Sequence, residues 1–265
     1  MNDDHELLAL ARTVGREAAE FVRASRPIGR VDVAATKSSP TDAVTEIDRA
    51  CELLIRDRLL STRPDDGVVG EEGDDLIGSS GVDWIVDPID GTVNFIYGIP
   101  SYAVSIGARR DGEVVAGHVI NIASGAEWGA VLGAGSWRYD ADQRIPLAAP
   151  AVERLDQALV ATGFNYVPEV RAKQAEALAR FMPHIRDIRR IGSAALDLCA
   201  LAEGQYDAYV EQGLHEWDLA AGGLIASESG LVLSGLDGKP DVRLVMAAHP
   251  SIAKEYFDLV RACGF

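Results

Sequence analysis

Asp87 and Asp90 stand three residues apart in "WIVDPIDGTVNF", the stretch from Trp84 to Phe95. An apolar run ends on them, Pro88 lies between them, and Gly91-Thr92 follows at once. A packed core gains nothing from two nearby carboxylates, so the pattern asks for something that compensates them. Pro88 fixes one backbone angle and cannot extend a sheet ladder, so the strand is predicted to stop there and turn. Such a turn can aim both carboxylates and the Ile89 carbonyl inward. Gly91 allows a sharp backbone path, and Thr92 can open a short helix whose first N–H groups suit an anion such as phosphate. Oxygen ligands for a hard cation would then lie beside an anion cradle. Taken alone, Asp-Pro-x-Asp-Gly also describes a plain turn, because these are turn residues.

Three other segments carry acids that raise the same question. In Gly70-Glu71-Glu72-Gly73, two acids follow an apolar strand and are poised to point from its end; alone, this is a solvated loop. Thr45 and Asp48 have the spacing of a helix capping box. Their functional reading sets Asp48 against a hydroxyl such as that of Thr92, the pair orienting and polarising a water. Asp218 falls in the first turn of an apolar helix, where the dipole favours a negative charge by about 0.3–1 kcal/mol; otherwise it is a ligand delivered by the second half of the chain. Two such charges brought to about 4 Å, at an effective dielectric near about 20, repel by about 4 kcal/mol. Convergence of several therefore implies a metal. All-oxygen ligation without Cys or His selects Mg²⁺ or Mn²⁺ over Zn²⁺.

Elements must carry these groups. Leu7, Leu8, Leu10, Ala11, Val14, Ala18, Phe21 and Val22 make a helix-period stripe over about 4–26, stopped by Pro27. A second helix is predicted over about 45–60, with Ile47, Cys51, Leu54, Ile55 and Leu59 on one face. Short strands follow at "GVVG" and Asp83–Val86. Two β-rich runs come next, with Arg110-Asp111-Gly112-Glu113 as a hairpin turn. Pro146 and Pro150 mark a lobe boundary, which divides the chain into an α+β half, 1–148, and a β/α half, 149–265. In the second half strands at "ALVATGF", "DIRRIG", "YDAYV", "LVLSG" and "RLVMAA" alternate with helices near 169–182, 193–201, 217–229 and 250–262. This alternation implies layered helices and sheets.

The bulk composition narrows the function classes. At 265 residues the chain has ample core, and its charged share of 25% is ordinary for a globular protein. A net charge of −16 argues against a nucleic-acid footprint, which needs a basic face. No run approaches the roughly 18 apolar residues of a membrane span, and the acidic start is not that of an export signal. Cys51, Cys199 and Cys263 are far apart and odd in number, which fits buried spectator thiols in a reducing cytoplasm.

Asp87-Pro-Ile-Asp-Gly-Thr, with Asn94-Phe95 behind it, resembles the signature of the inositol monophosphatase family, and "WDLAAGGLIASESG" is similar to that family's second signature. "KSSPTDAVTEID" and "GEEG" match its other two site segments in the expected order, so the resemblance runs from about Lys37 to Gly230. One departure is Gly230-Leu231, where the family often has Gly-Gly. The resemblance implies a layered α-β-α-β-α sandwich, of the type shared with fructose-1,6-bisphosphatase. It also implies a homodimer that hydrolyses a phosphate monoester with Mg²⁺, two or three per site, and is sensitive to lithium. Glu71, Asp87, the Ile89 carbonyl, Asp90 and Asp218 fall on the family's metal ligands. Thr92 and Asp48 fall on its water-activating pair, with Glu71 supporting the same water. The Gly91 and Thr92 amides would hold phosphate. Asp90, Ser193, Ala194 and Glu211 would meet the substrate's hydroxyls, and Lys37 sits on a mobile loop that closes near a third metal.

Inositol 1-phosphate is the expected substrate, because a carboxylate at Glu211 suits a neutral polyol. Histidinol phosphate, fructose 1,6-bisphosphate and other small phosphate esters are the alternatives. A second phosphate would call for basic residues near the pocket, where Arg189 and Arg190 precede Gly192. A non-enzymatic alternative is a binding partner in a transcription complex.

Overall fold

In the computed structural model, which describes residues 3–36, 43–141 and 143–265, the first apolar stripe forms helix α1 (Asp3–Ser25). Strands β1 (Ala35–Thr36) and β2 (Ala43–Val44) pair antiparallel. Helix α2 (Glu46–Thr62) starts on Thr45 as its N-cap. Strands β3 (Gly67–Gly70) and β4 (Val82–Asp90), helix α3 (Thr92–Tyr97) and strands β5 (Ala103–Arg110), β6 (Glu113–Asn121), β7 (Glu127–Val131), β8 (Gly135–Asp140) and β9 (Gln143–Pro146) follow. The second half contributes β10 (Leu159–Thr162), α4 (Pro168–Phe181), β11 (Asp187–Arg189), α5 (Ala194–Ala202), β12 (Ala208–Glu211), α6 (Glu216–Glu228), β13 (Val232–Ser234), β14 (Val245–Ala248) and α7 (Pro250–Cys263).

Strands β3 to β9 form one sheet in sequence order, with only β3 and β4 parallel. The second sheet runs β11-β10-β12-β14-β13, parallel across its first three strands. The turn predicted at Asp111-Gly112 joins β5 to β6, and both residues have positive φ, 53° and 81°, as a two-residue hairpin loop of this type requires. The sequence reading did not include β9. It is exposed throughout and ends on Pro146 at a sheet edge, so it carries no burial pattern to read.

Four apolar contacts stack these elements into layers. Leu7, Leu8 and Val14 of α1, with Ile55 and Leu59 of α2, pack against Trp84, Val86 and Ile106 on one face of the first sheet. Val119, Trp128 and Ala130 on its other face meet Leu196 and Cys199 of α5 and Ala221 and Ile225 of α6. The far sides of those two helices, through Leu198, Leu201 and Ala226, meet Tyr209, Val245 and Ala247 of the second sheet. Phe181 of α4 and Tyr256 and Val260 of α7 cover that sheet's outer face. The result is the α-β-α-β-α sandwich. Helix α6 can lie close on the first sheet because Gly117 has no side chain: a Cβ there would be 2.9 Å from the Ala221 Cα. Cys51, Cys199 and Cys263 are all buried free thiols.

An ionic clasp fixes α1 on β7. Arg12 Nε and Arg16 Nε donate to the two oxygens of Glu127 at 3.0 and 2.6 Å. Burial alone would raise the Glu127 carboxyl, but the nearby His118 ring, 3.6 Å away, and the hydrogen bonds from Arg16 and Arg12 override it and hold the group down to about 2. An acid depressed in this way stabilises the fold above its ordinary range, and the contribution is lost as pH falls from about 4.5 towards 2. Glu127→Gln is therefore expected to lower the melting temperature at pH 7, by an amount equivalent to about 1–3 kcal/mol. The difference from native protein should shrink at pH 3, as thermal denaturation at the two pH values would show.

Candidate active site

In a regular strand, residues three apart point to opposite faces of the sheet. Asp87 and Asp90 nevertheless reach the same side. Asp87 pairs with Ser105 and Asp90 with Ala103, so Pro88 and Ile89 together oppose Val104 alone. This is a β-bulge, one extra residue that shifts the side-chain alternation by one step. The strand does not stop at Pro88, as the sequence suggested, but runs on through the bulge to Asp90. Pro88 is tolerated because a bulge already breaks the ladder where its N–H would be needed. Asp87 Oδ1 accepts the Ile89 N–H at 3.0 Å, closing the kink.

Asp218 joins the pair from the other half of the chain. It is the third residue of α6, where its Oδ2 accepts the His215 N–H at 2.7 Å in a capping box. One ligand oxygen from each of Asp87, Asp90 and Asp218 lies within 4.8 Å of the others. Glu71 leaves the end of β3 beside this group, because the parallel register pairs Gly70 with Val86, the residue before Asp87. Glu71 lines the same cavity and Glu72 is not among its lining residues. Burial, then Glu71, Asp90 and Asp218, push Asp87 well above the ordinary carboxylate range. Burial, then Asp90 and Glu71, do the same to Asp218. Burial raises Asp90 to about 6, against hydrogen bonds from Ser193, Ala195 and Ala194. A set of buried oxygens that raise one another is the environment a divalent cation relieves, so these residues fit one.

Thr92 and Asp48 meet across the first layer. Thr92 Oγ1 is 3.1 Å from Asp48 Oδ1 and 3.1 Å from the Ile89 carbonyl oxygen. The capping box is also real: Thr45 N donates to Asp48 Oδ2 at 3.0 Å and Asp48 N donates to Thr45 Oγ1 at 3.3 Å. The two contacts use different oxygens, so one carboxylate closes the cap and faces Thr92 at once. Gly91 precedes α3 with φ of 93°, a left-handed conformation that suits glycine, and a Cβ there would be 3.0 Å from both the Gly192 and Ser101 carbonyls.

Ser193, Ala194 and Glu211, expected to meet substrate hydroxyls, line the same cavity of about 380 Å³. Ser193 Oγ donates to Asp90 Oδ2 at 2.6 Å, and the Ala195 and Ala194 N–H groups add bonds of 2.8 and 3.3 Å. Glu211 also lines the cavity and is raised to about 7 by burial. Of the two arginines before Gly192, Arg190 lines the cavity, whereas Arg189 turns to Asp187 at 2.9 Å. His215 stacks on Trp217 with ring centroids 4.8 Å apart and stands outside the three-acid group. Lys37 lies outside the described residues.

Three supporting residues were given no role of their own by the sequence reading. Buried Glu52 accepts the Glu72 N–H at 2.7 Å and the Arg56 guanidinium at 2.9 Å, anchoring the Glu71-Glu72 turn. An acid next to the apolar stripe of α2 was its only signal. Asn94 Nδ2 donates to the Ser101 and Ile191 carbonyls at 2.8 Å each, tying α3 to the loop before Ser193. Tyr209 Oη donates to Glu211 at 2.6 Å; the two-residue spacing on one strand was its signal.

The family model described as "Inositol monophosphatase family" matches residues 3–263. The inositol-1-monophosphatase of Mycobacterium bovis is 47% identical over 96% of this chain and 93% of its own length. The Nus factor SuhB of Pseudomonas aeruginosa is 37% identical over 88% of this chain and 86% of its own. Among solved structures, Mycobacterium tuberculosis SuhB superposes with a TM-score of 0.85 at 44% identity, covering 100% of this chain and 99% of that one.

Proposed function

We propose, from the premise that this chain belongs to the inositol monophosphatase family, that its cavity hydrolyses myo-inositol 1-phosphate to inositol and phosphate with Mg²⁺. The chain is a phosphoric monoester hydrolase. The observation that carries the finer reading is the convergence of Asp87, Asp90 and Asp218 within 4.8 Å, in a cavity that Gly91, Thr92 and Glu211 also line.

In this reading Glu71, Asp87, the Ile89 carbonyl, Asp90 and Asp218 hold two or three Mg²⁺, and Mn²⁺ can substitute. Bound there, the metal supplies Lewis acidity that eases ionisation of a water and offsets charge on the phosphate and the leaving oxygen. The protein's own groups do the positioning. Asp48 Oδ1 accepts the Thr92 hydroxyl proton, which leaves the Thr92 oxygen to accept a proton from the attacking water, and Glu71 holds the same water. The first amides of α3, at Gly91 and Thr92, donate to the phosphate oxygens. Asp90, Ser193, Ala194 and Glu211 hold the polyol's hydroxyls. Residues 1–148 carry the metal and water-activating motifs, residues 149–265 deliver Asp218 and the substrate contacts, and the two work as one catalytic unit. Lys37 closes over the site on its loop. A homodimer, lithium inhibition, a cytoplasmic location and no direct nucleic-acid or membrane binding complete the proposal. Among the described residues no helix is long and apolar enough to cross a membrane.

The test is phosphate release by the purified protein, with and without Mg²⁺, from inositol 1-phosphate, fructose 1,6-bisphosphate, histidinol phosphate, NADP and phosphoadenosine phosphate. Mg²⁺-dependent turnover fastest on inositol 1-phosphate is expected. A different fastest ester would replace the substrate and keep the chemistry. The similarity to Nus factors of Pseudomonas aeruginosa and Vibrio cholerae favours one second reading, a binding role in a transcription complex. If that role exists, Asp87→Asn protein is expected to retain the transcription-complex partners of the native chain.

A further inference from the structure

We propose that Gly163 and Tyr209 are positioning residues for Glu211, and that their joint effect sets the preference of the cavity for a polyhydroxylated ester. The inference rests on the reading that Glu211 meets a substrate hydroxyl. Strands β10 and β12 are parallel neighbours, with Thr162 paired to Val210. Gly163 and Glu211 therefore leave the same end of the sheet side by side. The C-terminal ends of parallel strands are where ligands bind in open α/β sheets.

Glu211 is held from two directions. Tyr209 lies two residues earlier on β12, so both side chains project from one face. Tyr209 is fully buried and its Oη donates to Glu211 Oε2 at 2.6 Å. On the other side, a Cβ at Gly163 would lie 1.8 Å from Glu211 Oε1 and 2.1 Å from its Cδ. The carboxylate occupies the volume of a side chain that Gly163 does not have. Gly163 is not among the residues with positive φ, so its backbone accepts alanine. The clash of Gly163→Ala falls on the far end of a flexible side chain, so Glu211 is displaced and the strand is not. Held in place, Glu211 loses little rotamer freedom on binding.

The experiment compares kcat/KM for inositol 1-phosphate with kcat/KM for phenyl phosphate, an ester with no hydroxyl for Glu211. Native protein, Gly163→Ala, Tyr209→Phe, Glu211→Ala and the Gly163→Ala/Glu211→Ala double variant are assayed with Mg²⁺. The ratio of the two constants is expected to fall about tenfold in Gly163→Ala and less in Tyr209→Phe, mainly through KM for the polyol ester. Gly163→Ala should lower the ratio no further once Glu211 is already alanine. An unchanged ratio in Gly163→Ala, or a loss that persists fully in the double variant, overturns the proposal. If Glu211→Ala itself leaves the ratio unchanged, the reading of Glu211 fails as well, which separates the two failures.

Discussion

Asp87→Asn is expected to fold, to lose about three orders of magnitude or more in phosphate release, and to melt higher than the native protein when both are metal-free. Asn keeps the Oδ1 acceptor that closes the bulge on the Ile89 N–H, 3.0 Å away. It removes one charge from a buried set in which Glu71, Asp90 and Asp218 all act against Asp87. An acid raised by folding binds its proton more tightly in the native state. It therefore costs stability as pH rises from about 4 towards its folded value. At pH 7 the native metal-free protein bears that cost and Asp87→Asn does not. With Mg²⁺ the order should reverse, because binding only to the folded state stabilises by mass action, and the variant has lost a ligand. Thermal denaturation in chelator and in Mg²⁺, beside a phosphate-release assay, reads all three effects. Native turnover in the variant would remove the metal reading.

Thr92→Val is the second large effect. It keeps the shape of a residue that is 9% exposed and removes the hydroxyl lying 3.1 Å from both Asp48 Oδ1 and the Ile89 carbonyl. Loss of a positioned proton acceptor typically costs about 10²–10⁴-fold, and the loss is expected in kcat with little change in KM. Thr92→Ser should retain most of the turnover, since it keeps the oxygen. Native turnover in Thr92→Val, or a loss just as large in Thr92→Ser, which keeps the hydroxyl, would overturn the assignment of the effect to that hydroxyl. Asp48→Asn is a less clean probe, because one carboxylate closes the α2 capping box and faces Thr92 at once.

How much of this site could be read in advance differs from residue to residue. Thr45 and Asp48 announced the start of α2 through a three-residue spacing that acts within one helical turn. Asp111-Gly112 announced a hairpin because both residues accept positive φ. Helix α3 began where Gly91-Thr92 suggested. Pro88 misled, because a proline within a strand signals interruption but not its form, and a one-residue bulge interrupts the ladder without ending the strand. Glu52 and Tyr209 gave only weak signals, an acid beside an apolar stripe and a two-residue spacing on a strand, because each acts through a neighbour 20 or 2 positions away whose side-chain direction depends on packing.

By itself, then, the sequence determined the kinds and order of the elements that carry the site, though not the short strands β1, β2 and β9, and the four acid-bearing segments at their ends. Those features follow from periodicity, proline, glycine and capping chemistry, which act over a few residues. Only the tertiary structure decided that Asp87 and Asp90 face the same way, that Asp218 arrives from the other half, and that Glu211 fills the space beside Gly163. Those outcomes depend on sheet register and on side chains packed at van der Waals contact between residues far apart in the chain. Without the one-residue bulge in β4, its two aspartates would point to opposite faces.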